Sequence, residues 1–408
     1  MQRRFDVCIA GAGVAGLTTA YLLAKRGYEV CLIERTEHAR EASRYNAGLI
    51  VPSMAVTELY KIELKKALEW LLNPSSPIKV KPAILLKELK WILHFMRMHG
   101  IKREEGLEAL RKLGELSMNT LERIISVENI ECKFMRKGVM EVYVNENSLH
   151  ATYEEAENII PKEYFTLVSE SEIPYFLRNV AGGILYLKDA CLSPDLFLDG
   201  LSNTLAEMNQ VTILNKNEVT SIMPVNSTLK TAGGAEIRYR NLVIAAGPWS
   251  RGLLSGLGTK LKVLPAKGYC ILLHKPDCSI EIPLMLEEYG IGVNPCNAPI
   301  IRITGFFELS GFDKSIPRER LELIMRRVSY HIPVLAGAEV LEQASGLRPC
   351  VSRRIPVISQ HAKFRNIYII TGHCRLGMTL SSGSAELVSR MIAGEELPFD
   401  ISLFSLPQ

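Results

Sequence analysis

The amino-terminal part of the chain alternates short apolar runs with a helix-like segment. Residues 5–10 (FDVCIA) form an apolar run of strand length, and residues 17–26 (LTTAYLLAKR) read as a helix closed by Gly27. A second apolar run at 29–33 ends in Glu34. This order predicts strand, helix and strand, the unit from which doubly wound α/β sheets are built.

Two later apolar runs are predicted to join the same sheet. Residues 241–250 (NLVIAAGPWS) and 366–373 (NIYIITGH) each read as a buried strand that ends in small residues, which allow a close approach of backbone to a ligand. A helix is predicted to follow from about Thr379 to Ile392. A nucleotide-binding domain of three separated pieces follows from this pattern.

The remaining segments predict a second, sheet-rich domain. We expect helices at 58–72 and 83–99, a hairpin at 132–144, and several strands between 263 and 307. The predicted boundaries assign 1–80, 189–262 and 343–408 to the nucleotide-binding domain and 81–188 and 263–342 to an α+β substrate domain. The two domains are therefore intertwined along the chain.

The first turn carries a glycine pattern with a chemical purpose. Gly11 permits a tight turn, Gly13 lets the backbone approach a pyrophosphate, and Gly16 lets the helix pack on the strand. The helix N-terminus then faces the phosphates with the positive end of its dipole. Glu34 stands where a carboxylate accepts hydrogen bonds from a ribose diol, so a dinucleotide without a 2′-phosphate is predicted.

Composition and cysteine usage narrow the class of protein. The chain has 408 residues, 47% of them hydrophobic and 23% charged, with a net charge of +4, which disfavours disorder, an integral membrane protein and nucleic-acid binding. Its nine cysteines are odd in number and lack a CxxC pair, so neither a disulfide scaffold nor a metal site is expected. Free thiols suit a reducing cytoplasm, where we expect the protein to reside.

Several motifs together give the chain a family resemblance. They are the glycine turn with Glu34, Asn46-Ala47-Gly48, the strand at 241–250, Pro265-Ala-Lys-Gly268, the segment 301–313, Ser345-Gly-Leu-Arg348-Pro349, and Thr371-Gly-His-Cys-Arg375-Leu-Gly377. With these motifs in this order, the chain resembles the D-amino-acid oxidase superfamily of flavoproteins. Within that superfamily it resembles the bacterial D-amino-acid dehydrogenases and glycine oxidase. The resemblance implies an FAD-binding Rossmann-type domain and FAD as the cofactor.

The resemblance also implies a set of FAD contacts. These are Gly11, Gly13, Val14, Ala15, Gly16, Glu34, Arg35, Ser43, Asn46, Ala47, Gly48, Val219, Ala246, Gly247, Trp249, Arg348, Gly372, His373, Arg375, Leu376, Gly377, Met378 and Thr379. One departure stands out, because Arg353-Arg354 replaces the Asp-Gly pair usual in the family. Arginines are not expected to copy a glycine turn, so the loop beside the flavin is predicted to be remodelled.

The substrate site is expected around two arginines. Arg348 and Arg375 fall where glycine-oxidase-like members place carboxylate-binding arginines, and a guanidinium fork binds a carboxylate with two charge-assisted hydrogen bonds. Tyr269 and Tyr289 are further candidates for contact with the substrate, and core packing is the alternative for both. His373 is interpreted as a spacer. Cys350 is expected to be an ordinary thiol, with a covalent flavin thioether as the alternative.

The function implied by the resemblance is oxidative deamination of a D-amino acid, with a cyclic imino acid such as D-proline as one option. Hydride transfer to the flavin needs no protein base when the amine arrives neutral. We expect quinone or another carrier to accept the electrons. The alternatives are an oxidase that uses dioxygen and a non-catalytic FAD subunit that relays electrons within a complex.

The predicted helix at 83–99 allows two interpretations. It combines Leu, Trp, Ile, Phe and Met with lysine and arginine, which fits a helix lying on the inner face of a membrane. The preferred interpretation is a substrate-domain helix whose apolar side packs inward, because the apolar residues spread around the helical wheel. The oligomeric state stays open.

Overall fold

The computed structural model describes residues 4–37, 41–53, 73, 75–97, 103–275 and 280–406. Its strands are β1 (Arg4–Ala10), β2 (Val30–Ile33), β3 (Leu49–Ile50), β4 (Ile78–Val80), β5 (Val139–Tyr143), β6 (Phe165–Ser169), β7 (Gly182–Tyr186), β8 (Ala190–Cys191), β9 (Val211–Leu214), β10 (Val219–Met223), β11 (Thr228–Thr231), β12 (Glu236–Ile244), β13 (Val263–His274), β14 (Leu284–Leu286), β15 (Ile291–Asn297), β16 (Ile300–Leu309), β17 (Glu339–Val351), β18 (Val357–Gln360) and β19 (Ile367–Thr371). Its α-helices are α1 (Val14–Lys25), α2 (Pro82–Arg97), α3 (Arg103–Val127), α4 (Glu146–Ile159), α5 (Pro194–Glu207), α6 (Ser250–Gly256), α7 (Arg318–His331) and α8 (Gly377–Ala393).

The first sheet has a parallel centre. β1 pairs in parallel with β2 and β12, β9 continues from β2, and β19 pairs in parallel with β12. Residues 7–10 of β1 are buried without alternation, as expected for a strand covered on both faces. Helices α1 and α8 pack against each other beside this sheet. The doubly wound α/β fold class is confirmed, and the strands predicted within 5–10, 29–33, 241–250 and 366–373 belong to this sheet as β1, β2, β12 and β19.

The second sheet has nine strands in the described part of the chain. Its main path runs β17-β13-β16-β15-β14-β5-β7-β6, and β4 pairs with β16. The strands predicted between 263 and 307 are confirmed as β13 to β16. Strand β17 runs antiparallel to β13 along the whole of β13, and its residue Cys350 forms a bridge to His373 just after β19.

The hairpin predicted at 132–144 is wrong. β5 pairs antiparallel with β7 and parallel with β14, whereas the residues just before it contribute a single bridge between Met135 and Cys191. All five residues of β5 are buried, which is typical of a central strand. Its hydrogen-bonding partners therefore come from distant parts of the chain, which a local apolar pattern does not reveal.

Helix α2 confirms the helix predicted at 83–99, and the helix predicted at 58–72 lies outside the described residues. Trp91 and Ile92 are buried, and the buried Glu88 carboxylate lies 2.9 Å from Lys262 Nζ. Leu86 and Leu89 on the outer side are exposed. Among the described helices, none is both long and apolar enough to span a bilayer.

The expectation of free thiols is wrong at three of the described cysteines. Cys350 in β17 and Cys374 just after β19 form a disulfide, with 2.01 Å between the sulfurs, and Cys191 is also disulfide-bonded. The odd cysteine count and the lack of CxxC did not reveal a pair that lies 24 residues apart. Cys8, Cys31, Cys132 and Cys270 are free and buried, as small apolar side chains are.

Candidate functional site

The turn after β1 is built so that only glycine fits. Gly11 has a φ of +104°, and a Cβ there would lie 2.6 Å from the carbonyl oxygen of Ala245 at the end of β12. A Cβ at Gly16 would lie 1.8 Å from the carbonyl oxygen of Gly11, so α1 passes directly over the turn. Three pieces of backbone thus meet where the sequence predicted a bound pyrophosphate.

Glu34 follows β2 with its carboxylate fixed by the chain itself. The backbone N–H of Ala12 donates to Oε2 at 2.9 Å, and the N–H and hydroxyl of Thr36 each donate to Oε1 at 2.8 Å. The residue is almost fully buried. These bonds hold the acid at the end of β2, beside the glycine turn, in the position expected for a ribose-binding carboxylate.

A cavity of about 510 Å³ opens at the carboxyl ends of the parallel strands. The strand order β2-β1-β12-β19 places Glu34, which follows β2, at one end and the glycine turn after β1 beside it. His373 and Cys374, which follow β19, line the other end. Trp249, Arg348 and Met378 are also on the wall, and the Arg35 guanidinium carbon lies 3.6 Å from the centre of the Trp249 ring. In open α/β sheets, ligands bind in this crevice.

Most of the residues predicted from the resemblance line this cavity. Those on its wall are Gly11, Gly13, Val14, Ala15, Glu34, Arg35, Ser43, Asn46, Val219, Ala246, Gly247, Trp249, Arg348, His373, Gly377 and Met378. The predicted residues not among the lining are Gly16, Ala47, Gly48, Gly372, Arg375, Leu376 and Thr379. Among these, Thr379 accepts a hydrogen bond from the N–H of Val51 at 3.2 Å.

Other lining residues were not predicted. They include Ala10, Ile33, Glu41, Ala42, Asn217, Glu218, Thr220, Ala245, Pro248, Gly252, Leu253, Leu347, Pro349, Ile370, Thr371, Cys374 and Ser381. Many are direct neighbours of predicted residues, so widening each motif by one or two positions would have found them. Asn217, Glu218 and Thr220, for example, flank the predicted Val219 at the start of β10.

The two candidate arginines lie in different surroundings. Arg348 lines the cavity, its Nη1 donates to the carbonyl oxygen of Phe306 at 2.7 Å, and its guanidinium lies against Gly268. Arg375 is largely exposed, and its Nη2 lies 4.0 Å from the sulfur of Met285 in the second sheet. The structure therefore places Arg348, and not Arg375, on the cavity wall.

The two candidate tyrosines lie in the second sheet, and neither is among the residues that line the cavity. The Tyr269 hydroxyl donates to Glu308 at 2.8 Å, and burial together with that carboxylate raises the pKa of Tyr269. The Tyr289 hydroxyl lies 3.3 Å from Nε2 of His331, and burial raises its pKa too. Their predicted contact with a substrate stays a prediction.

His373 lies on the cavity wall with its ring buried. Its Nε2 is 2.9 Å from the Ser384 hydroxyl of α8, and burial lowers the pKa of His373 to about 4. The imidazole is therefore neutral at ordinary pH, with its ring tied to the helix. This arrangement is consistent with the predicted spacer.

The loop at Arg353-Arg354 differs from the expectation. Arg354 has a φ of +61°, the left-handed conformation that glycine adopts easily, so an arginine does take the place of the family's glycine in this turn. Arg353 donates through Nη2 to the carbonyl oxygen of Leu403 at 2.7 Å. Both side chains are engaged away from the cavity lining.

The cavity fits FAD. The N-terminus of α1 begins Val-Ala-Gly-Leu without an acidic side chain, so its backbone N–H groups and dipole favour a pyrophosphate. Glu34 would hold the ribose, and the wall from Arg348 to Met378 would hold the flavin. No group of His, Cys, Asp and Glu that could bind a metal occurs among the described residues.

Known proteins agree with this fit. Residues 6–391 match the family described as DAO, FAD dependent oxidoreductase. A D-amino acid dehydrogenase of Vibrio vulnificus strain CMCP6 is 28% identical, with 97% of this chain and 98% of that protein covered. One of Rhizobium rhizogenes is also 28% identical, with 98% and 99% covered.

Solved structures share the fold. Glycine oxidase from Geobacillus kaustophilus superposes with a TM-score of 0.80 at 22% identity, covering 100% of this chain and 99% of the other. L-Proline dehydrogenase from P. horikoshii has a TM-score of 0.76 at 16% identity, covering 99% and 97%. With a family match across nearly the whole chain and a cavity shaped for the cofactor, the protein belongs to the DAO family of FAD-dependent oxidoreductases.

Proposed function

We propose that this protein oxidises a D-amino acid to its imine, which water converts to a 2-oxo acid and ammonia. The observation that carries the proposal is Arg348, whose guanidinium lies on the cavity wall. Relatives at 27–28% identity that carry the name D-amino acid dehydrogenase support the substrate class. The proposed electron acceptor is quinone or another carrier, because these relatives are named dehydrogenases and not oxidases.

Arg348 would bind the substrate carboxylate. Its Nη1 donates to the backbone of Phe306, which limits the rotation of the guanidinium and keeps the planar fork in place. A carboxylate bound there would limit the orientations that the amino acid can adopt in the cavity. Such positioning contributes more to rate than a flexible contact does.

The other contributions of the chain are electrostatic. The cofactor accepts the hydride when bound, so no base on the protein is required. Helix α8 starts at Gly377 on the cavity wall, and the positive end of its dipole would stabilise negative charge there. His373 beside it is neutral and contributes no positive charge to this wall.

The Arg348→Lys variant tests the proposal. We expect kcat/KM for the amino acid to fall by an amount worth about 2–5 kcal/mol, because an ammonium cannot replace a bidentate fork in a desolvated pair. The flavin absorbance should stay normal. Arg353→Lys is the matched control, because Arg353 lies in the following turn and donates to Leu403 and Ser405 instead.

Wild-type kinetics in Arg348→Lys would mean that the carboxylate is bound elsewhere, with Arg375 as the next residue to replace. A chain that turns over no amino acid of either hand, although it holds FAD, would favour the electron-relay subunit. Peroxide formed in step with amino-acid oxidation would favour the oxidase that uses dioxygen.

A further inference from the structure

The Cys350–Cys374 disulfide lies at the end of the cavity opposite Glu34. Cys374 lines that end together with its neighbour His373 and with Arg348 and Pro349, which directly precede Cys350. If FAD places its ribose on Glu34 and its pyrophosphate on the glycine turn, its flavin lies toward this end. The disulfide is thus part of the wall that the redox-active ring would face.

The surroundings of the two sulfurs differ. Cys350 is fully buried and packs in an apolar cluster with Trp91, Leu264 and Ala266. Cys374 packs against the same cluster, but it is only partly buried and belongs to the cavity lining. The disulfide therefore borders the cavity through Cys374, whereas Cys350 is closed off from it.

Cys374 also lies close to the beginning of a helix. This residue begins a short 3₁₀ turn that runs into α8, which starts three residues later at Gly377. A thiolate at a helix N-terminus is stabilised by the dipole and by unpaired backbone N–H groups. Stabilising the reduced thiol makes a disulfide a better electron acceptor.

We propose that the Cys350–Cys374 disulfide is a second two-electron centre that exchanges electrons with the bound FAD. In the forward step the reduced flavin anion and a proton convert the disulfide to two thiols and leave oxidised flavin. The S–S bond breaks, two S–H bonds form, and the electron pair and one hydrogen come from the flavin. The reverse step reoxidises the thiols. The proposal requires bound FAD but no particular amino-acid substrate.

Thiol labelling of the dithionite-reduced holoenzyme tests this exchange. The protein is reduced under argon with limiting dithionite, quenched in acid, denatured and alkylated, and its cysteine peptides are quantified by mass spectrometry. We expect Cys350 and Cys374 to be labelled in the holoenzyme and to stay unlabelled in chain stripped of FAD. Cys191, which is disulfide-bonded and is not among the residues that line the cavity, should stay unlabelled in both.

Electron uptake gives an independent readout. In an anaerobic titration the wild-type holoenzyme should consume one more electron pair per FAD than the Cys350→Ser/Cys374→Ser variant does. Unlabelled Cys350 and Cys374 in the reduced holoenzyme would overturn the proposal, as would equal labelling with and without FAD. If the double variant does not fold, thiol labelling of the holoenzyme and of the wild-type chain stripped of FAD still tests whether the exchange requires FAD. Because dithionite is the reductant, failure here leaves the amino-acid proposal untouched.

Discussion

Polar groups are buried in different ways at the cofactor cavity and in the second sheet. At the cavity, the close contacts are made by backbone, as where Gly16 covers the carbonyl of Gly11, and a single acid is held by backbone and hydroxyl donors. In the second sheet, charged side chains are buried against each other. The cavity depends on glycines that have no side chain, whereas the second sheet depends on charged side chains that are all present and paired.

The buried cluster of the second sheet is centred on Glu308. Its carboxylate accepts from Arg320 Nε at 2.6 Å and from the Tyr269 hydroxyl at 2.8 Å, and Lys267 Nζ lies 3.6 Å away. Arg320 and Lys267 are both buried. Removing one member of such a cluster leaves a charge without compensation in the interior.

The largest effect is expected from Gly16→Ala. The added methyl group meets a backbone carbonyl at 1.8 Å, which no side-chain movement relieves, so the protein should lose FAD or fail to fold. Gly27→Ala is the matched control: its φ of +85° also strains alanine, but nothing lies within 4 Å. FAD retained after gel filtration measures the result. A Gly16→Ala protein that keeps its FAD would contradict the backbone account of the cavity.

A smaller effect is expected from Glu308→Gln. We expect a loss of about 3–5 kcal/mol in the free energy of unfolding, because Arg320 and Lys267 stay charged in the interior. The control is Glu108→Gln, whose ion pair with Arg111 is about half exposed and should be worth less than about 1 kcal/mol. Denaturant unfolding followed by circular dichroism compares the two. Equal losses of unfolding free energy would show that the buried cluster stabilises the fold no more than the exposed ion pair does.

The smallest effect concerns pH. Because burial lowers the pKa of His373 to about 4 in the folded state, the unfolded chain binds a proton first as the pH falls below about 6.5. The neutral ring therefore contributes stability above that pH that is lost progressively down to about pH 4. Between pH 7 and pH 5 we expect a loss of about 2 kcal/mol from this residue.

His373→Gln should remove that part of the pH dependence, whereas His150→Gln, at a position whose side chain is 55% exposed, should not. Denaturant unfolding midpoints of wild type and both variants at pH 7 and pH 5 measure this pH dependence. A pH dependence that is the same in wild type and His373→Gln would show that the ring is protonated in the folded state as easily as in the unfolded chain.

The same contrast explains what could be predicted from the sequence. The cofactor half is built from contiguous signals, a strand, a glycine turn, a helix and an acid such as Glu34, each visible in a few residues. Its three pieces were recognised because each strand is apolar and ends in small residues. The parallel pairing of β1 with β12 follows from the fold class.

The second half depends on contacts between distant residues. Glu308 meets Arg320 and Tyr269 across strands and a helix, and nothing local in the sequence marks Glu308 as buried. β5 takes partners from residues 182–186 and 284–286, which is why a local hairpin was predicted instead. Cys350 and Cys374 are joined because β17 and the loop after β19 meet at the cavity, a meeting that cysteine spacing does not predict.

The most direct test of the account is to mix the FAD-loaded protein, without oxygen, with a panel of D- and L-amino acids and with the amides of the same D-amino acids. If the protein oxidises D-amino acids held by Arg348, D-amino acids should bleach the yellow absorbance of the flavin. The amides lack the carboxylate that would bind Arg348, so they should bleach it much more slowly. Bleaching by L-amino acids alone, or equal rates for acids and amides, would contradict it.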